Sequence, residues 1–213
     1  MSTDISEVAA ALIELEEDRA IALAQEQLDA GADPVAVLEE LRRGMQVIGE
    51  RFESKEYFLS ELVMAAEIFK NVGALLEPRL ALQEKVSSAG IAVVGTVQGD
   101  IHDIGKNIVA TMLKCSGFDV HDLGVDVPPG RFVETVQQTG PAVIGLSALL
   151  TTSFDSMKAT VQALTAAGLR DKVSVLLGGG PVNEQVRSYV GADAWGRDAM
   201  EAVRLFQAHA AKL

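Results

Sequence analysis

Apolar positions in the first third of the chain return every three or four residues. Val8, Leu12, Leu15, Ile21, Ala24 and Leu28 follow this spacing and predict one helix over residues 6–30, stopped by Gly31. Asp33 followed by Pro34 reads as a cap and a first helical position, starting a helix that runs to about Phe52. Leu62, Ala66, Phe69, Val72, Leu76 and Leu80 mark one side of a long amphipathic helix over residues 59–82. Short links between such helices make antiparallel neighbours, so the pattern predicts a small bundle.

Beyond about residue 90 the texture changes. Residues 91–97 (IAVVGTV) form a continuous apolar run, as in a strand buried on both faces. Further strands are predicted at 118–123, 142–147 (AVIGLS), 173–177 (VSVLL) and, briefly, 193–194. Helices over 105–115, 129–139, 153–167, 184–190 and 198–210 alternate with them. Five βα units imply a parallel sheet with helices on both faces. The change of texture places a domain border within residues 80–90, giving a helical domain over 1–86 and an α/β domain over 87–213.

Charge sharpens this division. The 213 residues carry a net −12, of which residues 1–88, with 18 acids against 8 bases, hold −10. An acidic balance with only 5% aromatics disfavours nucleic acid, which needs a basic footprint and stacking surfaces, and it disfavours an anionic membrane. The bulk of the acidic charge reads as a solvated outer face. A single cysteine, Cys115, makes neither an internal disulfide nor a thiolate zinc cluster. The N-terminal stretch lacks the regions of a signal peptide, and no apolar run reaches the ~18 residues of a membrane span. The expectation is a soluble, cytoplasmic protein.

Ligands of parallel sheets bind beyond the carboxyl ends of the strands. The segment after the first strand is Gln98-Gly99-Asp100-Ile101-His102-Asp103-Ile104-Gly105-Lys106-Asn107. It lacks the glycine spacing of a dinucleotide fingerprint. It also fails as a phosphate loop, because five residues separate Gly99 from Gly105 and Asn107 follows Lys106 where a hydroxyl is needed. Two readings of the remaining residues fit. In one, Asp100 caps the following helix and His102 is incidental. In the other, His102 presents one ring nitrogen as a metal ligand while Asp100 holds the hydrogen of the other. A lone histidine cannot cage a bare ion, but it can supply one axial ligand to a metal already held by a macrocycle. Ser147, Leu149, Thr151, Thr152 and Ser153 follow the third strand, and Gly178-Gly179-Gly180 the fourth.

Taken together, Asp100-x-His102-x-x-Gly105, then 41 residues to Ser147-x-Leu149, then 28 to Gly178-Gly179, resemble the cobalamin-binding domains that take the cofactor with its own base displaced. The stretch GDIHDIGKNIV is similar to the version in cobalamin-dependent methionine synthase, although Thr152 stands where that version has proline. The size and layout resemble the corrinoid proteins of three-component methyltransferase systems. The resemblance implies a helical-bundle cap followed by a doubly wound, flavodoxin-like five-stranded sheet. It implies a cobalamin or related corrinoid bound base-off, with His102 as lower axial cobalt ligand, Asp100 bonded to its ring and Ser153 extending that relay. Gly99, Ile101, Asp103, Ile104, Gly105, Ser147, Leu149, Thr151, Gly178 and Gly179 become cofactor contacts, the glycines making room for its nucleotide tail. In RFESKEYFLSELV the cap contacts correspond to Phe52, Leu59 and Leu62.

The function so implied is a non-catalytic methyl carrier. It accepts a methyl group on Co(I) from a substrate-specific methyltransferase and passes it from methyl-Co(III) to a second methyltransferase, whose acceptor is tetrahydrofolate or coenzyme M. A reductive activation protein is the third implied partner, and the link near residues 80–90 is the implied hinge. The competing readings are a cobalamin-sensing regulator and an adenosylcobalamin mutase module. An acidic N-terminal half without a basic recognition helix disfavours the first, and the match at Phe52, Leu59 and Leu62 disfavours the second.

Overall fold

The computed structural model describes residues 5–80 and 88–212. The chain forms two compact units, Met1–Ser87 and Ser88–Leu213. The expected hinge falls mainly on residues 81–87, outside those described.

Among its described residues the first unit contains four helices, α1 (Glu7–Ile13), α2 (Glu17–Asp29), α3 (Pro34–Glu53) and α4 (Leu59–Leu80). Asp33 caps α3 as its sequence suggests, its carboxylate accepting from Val35 N–H at 3.0 Å with Pro34 at the first helical position. Val8 and Leu12 of α1, Leu41 and Ile48 of α3, and Leu62 and Leu76 of α4 are fully buried where these three helices pack together. Gly44 lets α1 come close, since a Cβ there would lie 3.0 Å from Leu12 Cδ2 and 3.3 Å from the carbonyl oxygen of Ala9.

The single helix expected over 6–30 is two helices. The break is at Leu15, whose φ of 60° is left-handed. Glu16 N–H reaches back to the Ala11 carbonyl (2.9 Å) and Leu15 N–H to Leu12 (3.1 Å), closing α1 much as a glycine would. A tertiary contact holds the break: the Tyr57 hydroxyl donates to the Ile13 carbonyl (2.7 Å) and accepts from Arg51 Nη1 (2.9 Å). Apolar spacing carries no trace of a carbonyl claimed by a side chain 44 residues away.

The second unit contains five parallel strands, β1 (Gly90–Thr96), β2 (Phe118–Asp122), β3 (Val143–Ser147), β4 (Ser174–Gly178) and β5 (Ala194–Trp195), in the order β2-β1-β3-β4-β5. Reversal of strand order at β1/β3 is the switch point of a doubly wound, flavodoxin-like sheet. Helices α5 (Ile104–Cys115) and α9 (Ala199–Ala210) pack together on one face. Helices α6 (Pro129–Thr139), α7 (Phe154–Ala166) and α8 (Glu184–Val190) cover the other. The central strands are buried on both sides, which is why they read as unbroken apolar runs. Edge strand β2 alternates instead, and its Asp119 and His121 discourage edge-to-edge pairing. Among the described residues, no helix is long and apolar enough to cross a membrane.

Candidate functional site

The register aligns Thr96, Ser147 and Gly178 at the carboxyl ends of β1, β3 and β4, so the loops that follow share one edge. Asp100, only 1% exposed, joins two of these loops. Its Oδ1 accepts from His102 N–H (3.0 Å) and from His102 Nδ1 (2.8 Å). Its Oδ2 accepts from the N–H groups of Leu149 (2.7 Å) and Leu150 (2.9 Å). Burial alone would raise the carboxyl, but these backbone and ring hydrogen bonds outweigh it and hold the group at about 2. An ionised carboxylate only accepts, so the imidazole hydrogen sits on Nδ1 and the Nε2 lone pair is left to point away. The His102 side chain is 49% exposed, and its carbonyl accepts from Thr96 Oγ1 at 2.9 Å.

This geometry separates the two readings of the loop. Asp100 does not cap α5, whose N-cap position is Asp103 with no side-chain cap bond. Its carboxylate orients an imidazole. Among the described residues, no three or more His, Cys, Asp or Glu side chains gather into a metal cage. The ring is therefore suited to supplying a single ligand.

The surroundings fit a large flat apolar group. Ile101 is 73% and Ile104 76% exposed, and Val125, Leu149 and Leu150 are also exposed. Four of these lie in the loops after β1, β2 and β3 and Ile104 opens α5, a concentration of apolar surface beside a half-exposed histidine that calls for a cover. Val125 and Leu150 escaped sequence reading because exposure depends on where the loops settle. Gly105 and Gly178 face open space: a Cβ at either would meet nothing within 4 Å. Gly179 differs. Its φ is 131° and a Cβ there would lie 1.9 Å from the Ala148 carbonyl oxygen, so this glycine admits the protein's own backbone. Asp103 and Thr151 are exposed at the same edge, Gly99 turns the chain at φ 85°, and Ser147 is half-buried.

Ser153 is buried at the start of α7, with Gly99 beside its hydroxyl. The four hydrogen bonds given for the Asp100 carboxylate do not include Ser153, so the expected relay is joined at His102–Asp100 and not carried on to Ser153 among the described contacts. Lys106, the residue that made the loop look like a phosphate cradle, is buried and engaged internally. Its Nζ donates to Asp122 Oδ1 (2.7 Å) and Oδ2 (2.6 Å) and to Asn107 Oδ1 (2.7 Å). All three ammonium hydrogens have acceptors.

In the helical unit, Phe52 is half-buried near the end of α3 and Leu59 is exposed at the start of α4. Leu62 is fully buried in that unit's interior. Phe58, Val63 and Met64 are exposed beside Leu59 and were not anticipated. The Arg51–Tyr57 pair, with the guanidinium 5.1 Å from the ring centre, fixes the turn that presents them.

The chain is similar to known proteins along most of its length. The B12 binding domain family matches residues 90–204, and a second B12 binding domain family matches residues 5–77. A dimethylamine corrinoid protein of Methanosarcina barkeri is 39% identical over 200 residues, covering 93% of each chain. A crystal structure of a cobalamin-binding protein from Desulfitobacterium hafniense superposes with a TM-score of 0.80 at 40% identity, covering 96% of this chain and 98% of that one. The methanol:cobalamin methyltransferase complex of Methanosarcina barkeri contains a chain matching with a TM-score of 0.87 at 30% identity, covering 99% of this chain and 81% of that one.

Proposed function

This chain belongs to the B12-binding corrinoid proteins, and from that premise we propose that it is the methyl-carrying subunit of a methyltransferase system, holding its corrinoid at the carboxyl edge of the sheet with His102 as the lower axial ligand. The observation that carries the reading is the buried Asp100 carboxylate, which fixes the Nδ1 hydrogen of a half-exposed imidazole amid exposed apolar side chains. A bound corrinoid supplies a cobalt centre that carries a methyl group between partner enzymes.

The chain's own residues do the rest. His102 binds through Nε2, and Asp100 keeps the ring in that tautomer and makes it a stronger donor. The exposed side chains of Ile101, Ile104, Val125, Leu149 and Leu150 would pack on a bound corrinoid and exclude water from it. Gly105 and Gly178 leave open the space for the displaced nucleotide tail, which Ser147, Leu149 and Thr151 border. Phe52 and Leu59 of the helical unit would be the contacts that shield the carried methyl group, and Leu62 is buried in that unit's interior.

One partner delivers the methyl group from its substrate, a second removes it to tetrahydrofolate or coenzyme M, and a reductive activation protein restores the carrier. Relatives named for dimethylamine and for methanol match this chain along most of its length, which supports a methyl donor chosen by the partner enzyme.

The test is to load the full chain with cobalamin, reduce it by one electron and record its EPR spectrum. With the histidines labelled with 15N, the expected result is the two-line superhyperfine splitting of a 15N imidazole, distinct from the three-line 14N splitting of the cofactor's own base, that vanishes in His102→Ala while cobalamin remains bound. An imidazole signal surviving in His102→Ala would sink the ligand assignment.

A further inference from the structure

Between β2 and α6 the chain departs from the simplest path along β1. Thr96 N–H donates to the Gly124 carbonyl (3.0 Å), and the Thr96 carbonyl accepts from Val127 N–H (3.0 Å). Val125 and Asp126 are left over between these two bonds, and they lie against the turn that leads into Asp100. Both ends of this bulge are left-handed, Gly124 at φ 85° and Asp126 at φ 53°. Aspartate is one of the few side chains that tolerate this conformation.

The bulge is bonded to the His102 loop from both sides. Asp126 Oδ1 accepts from Gly99 N–H (2.8 Å), and Asp126 N–H donates to the Asp100 carbonyl (2.9 Å). At the other end, Asp122 Oδ1 accepts from Gly124 N–H (2.9 Å), while the same carboxylate takes the Lys106 ammonium. Lys106 lies in the first turn of α5 and also donates to Asn107, whose Nδ2 donates to Asp103 Oδ2 (3.1 Å). The segments immediately before and after His102 are thus tied to one loop, residues 122–127.

We propose that Asp126 is a positioning residue for the corrinoid ligand, acting through the Gly99–Asp100 segment to hold the Asp100 carboxylate against the imidazole. The proposal rests on the reading of His102 as ligand. Its physical basis is that Asp126 grips the segment twice, at the N–H of residue 99 and the carbonyl of residue 100. Those two bonds set the direction of the Asp100 side chain. Gly99, at φ 85°, has no side chain of its own to resist rotation.

Two variants separate the carboxylate from the backbone. Asp126→Gly accepts the left-handed conformation but removes the acceptor, whereas Asp126→Asn keeps both. In the corrinoid-free full chain, amide hydrogen exchange is followed at His102, Leu149 and Leu150, which bond Asp100 and do not touch Asp126. Exchange at these amides rises roughly tenfold in Asp126→Gly, the scale of one lost hydrogen bond, and stays near the parent in Asp126→Asn. The amides of Leu146 and Leu176, inside the sheet, are unchanged in both. After loading with aquocobalamin and one-electron reduction, Asp126→Gly binds the cofactor but shows a smaller fraction with the nitrogen EPR signature, and Asp126→Asn restores it.

Unchanged exchange at the three amides in Asp126→Gly overturns the proposal. So does a rise that includes Leu146 and Leu176, which is general destabilisation, or an Asp126→Asn variant as impaired as Asp126→Gly. His102→Ala, labelled with 15N in its histidines and loaded in parallel, tests the underlying reading: a 15N-histidine signal persisting there defeats the ligand assignment, while the exchange data still judge the brace.

Discussion

At the scale of single residues, Asp100 has the most to lose. Each of its oxygens accepts two hydrogen bonds, so no acceptor position is spare for a substituted group. Asp100→Asn turns one oxygen into an NH2 group facing two donors. The expected loss is about 2–3 kcal/mol of stability in the α/β unit, read by denaturant unfolding, with loss of the fixed Nδ1 tautomer read by nitrogen NMR of the His102 ring. A variant as stable as the parent, with an unchanged ring spectrum, would contradict the geometry described. The presence of an Asp-x-His pair was legible in the sequence because its members are two residues apart. The other half of the Asp100 environment was not, because the Leu149 and Leu150 amides approach from a loop about fifty residues on. A separation of 27 residues likewise hid Asp126, whose carboxylate serves Gly99 across the β1–β2 pair.

At the scale of elements, the buried strands were legible for a simple reason: parallel strands covered on both faces admit apolar residues without alternation. Helices of either unit were bounded well where capping chemistry was local, as at Asp33-Pro34 for α3 or at Asn183, whose side chain caps α8. The break between α1 and α2 was hidden because Leu15 occupies a left-handed position without being glycine, at a cost of about 1–2 kcal/mol. If the Tyr57 hydroxyl helps hold that break, Tyr57→Phe lowers the stability of the helical unit by about 1 kcal/mol, measured as a shifted denaturation midpoint with unchanged slope. A neutral substitution would show that α1 ends there without the tyrosine.

Docking of α9 on the sheet has its own pH dependence. His209 Nδ1 lies 3.0 Å from Ser174 Oγ. Burial first, then the charge of Lys212, holds His209 below the ordinary histidine range, with Asp193 opposing them. The unfolded chain therefore takes up this proton at higher pH than the folded one. The contribution is fully present above the ordinary range near 6.5 and is lost as pH falls through the lower folded value. Melting profiles across pH 7 to 4 should show a steeper decline in the parent than in His209→Gln. Equal slopes would remove His209 from the acid response.

At the scale of the whole molecule, the sequence divides its charge and its chemistry between two units. The helical unit holds most of the negative charge and an exposed apolar cluster of Phe58, Leu59, Val63 and Met64. The α/β unit holds the histidine. If the helical unit shields the carried methyl group, Leu59→Ala hastens its light-driven loss from the loaded protein, and the rate of photolysis is the measurement. An unchanged rate would leave Leu59 as an ordinary surface residue. The resemblance located Phe52, Leu59 and Leu62 by spacing, but spacing does not tell which side of a helix the bundle will claim, and Leu62 went inside.

Three glycines at the carboxyl edge of the sheet, Gly105, Gly178 and Gly179, show how such a protein would fare under mutation. A side chain at 179 collides with the Ala148 carbonyl before any cofactor arrives, so a Gly179→Ala culture should yield little soluble protein. At positions 105 and 178 the added methyl group meets nothing of the chain itself. Variants there should be recovered in normal yield, and any defect should show only as a pale preparation that fails to take up the red pigment.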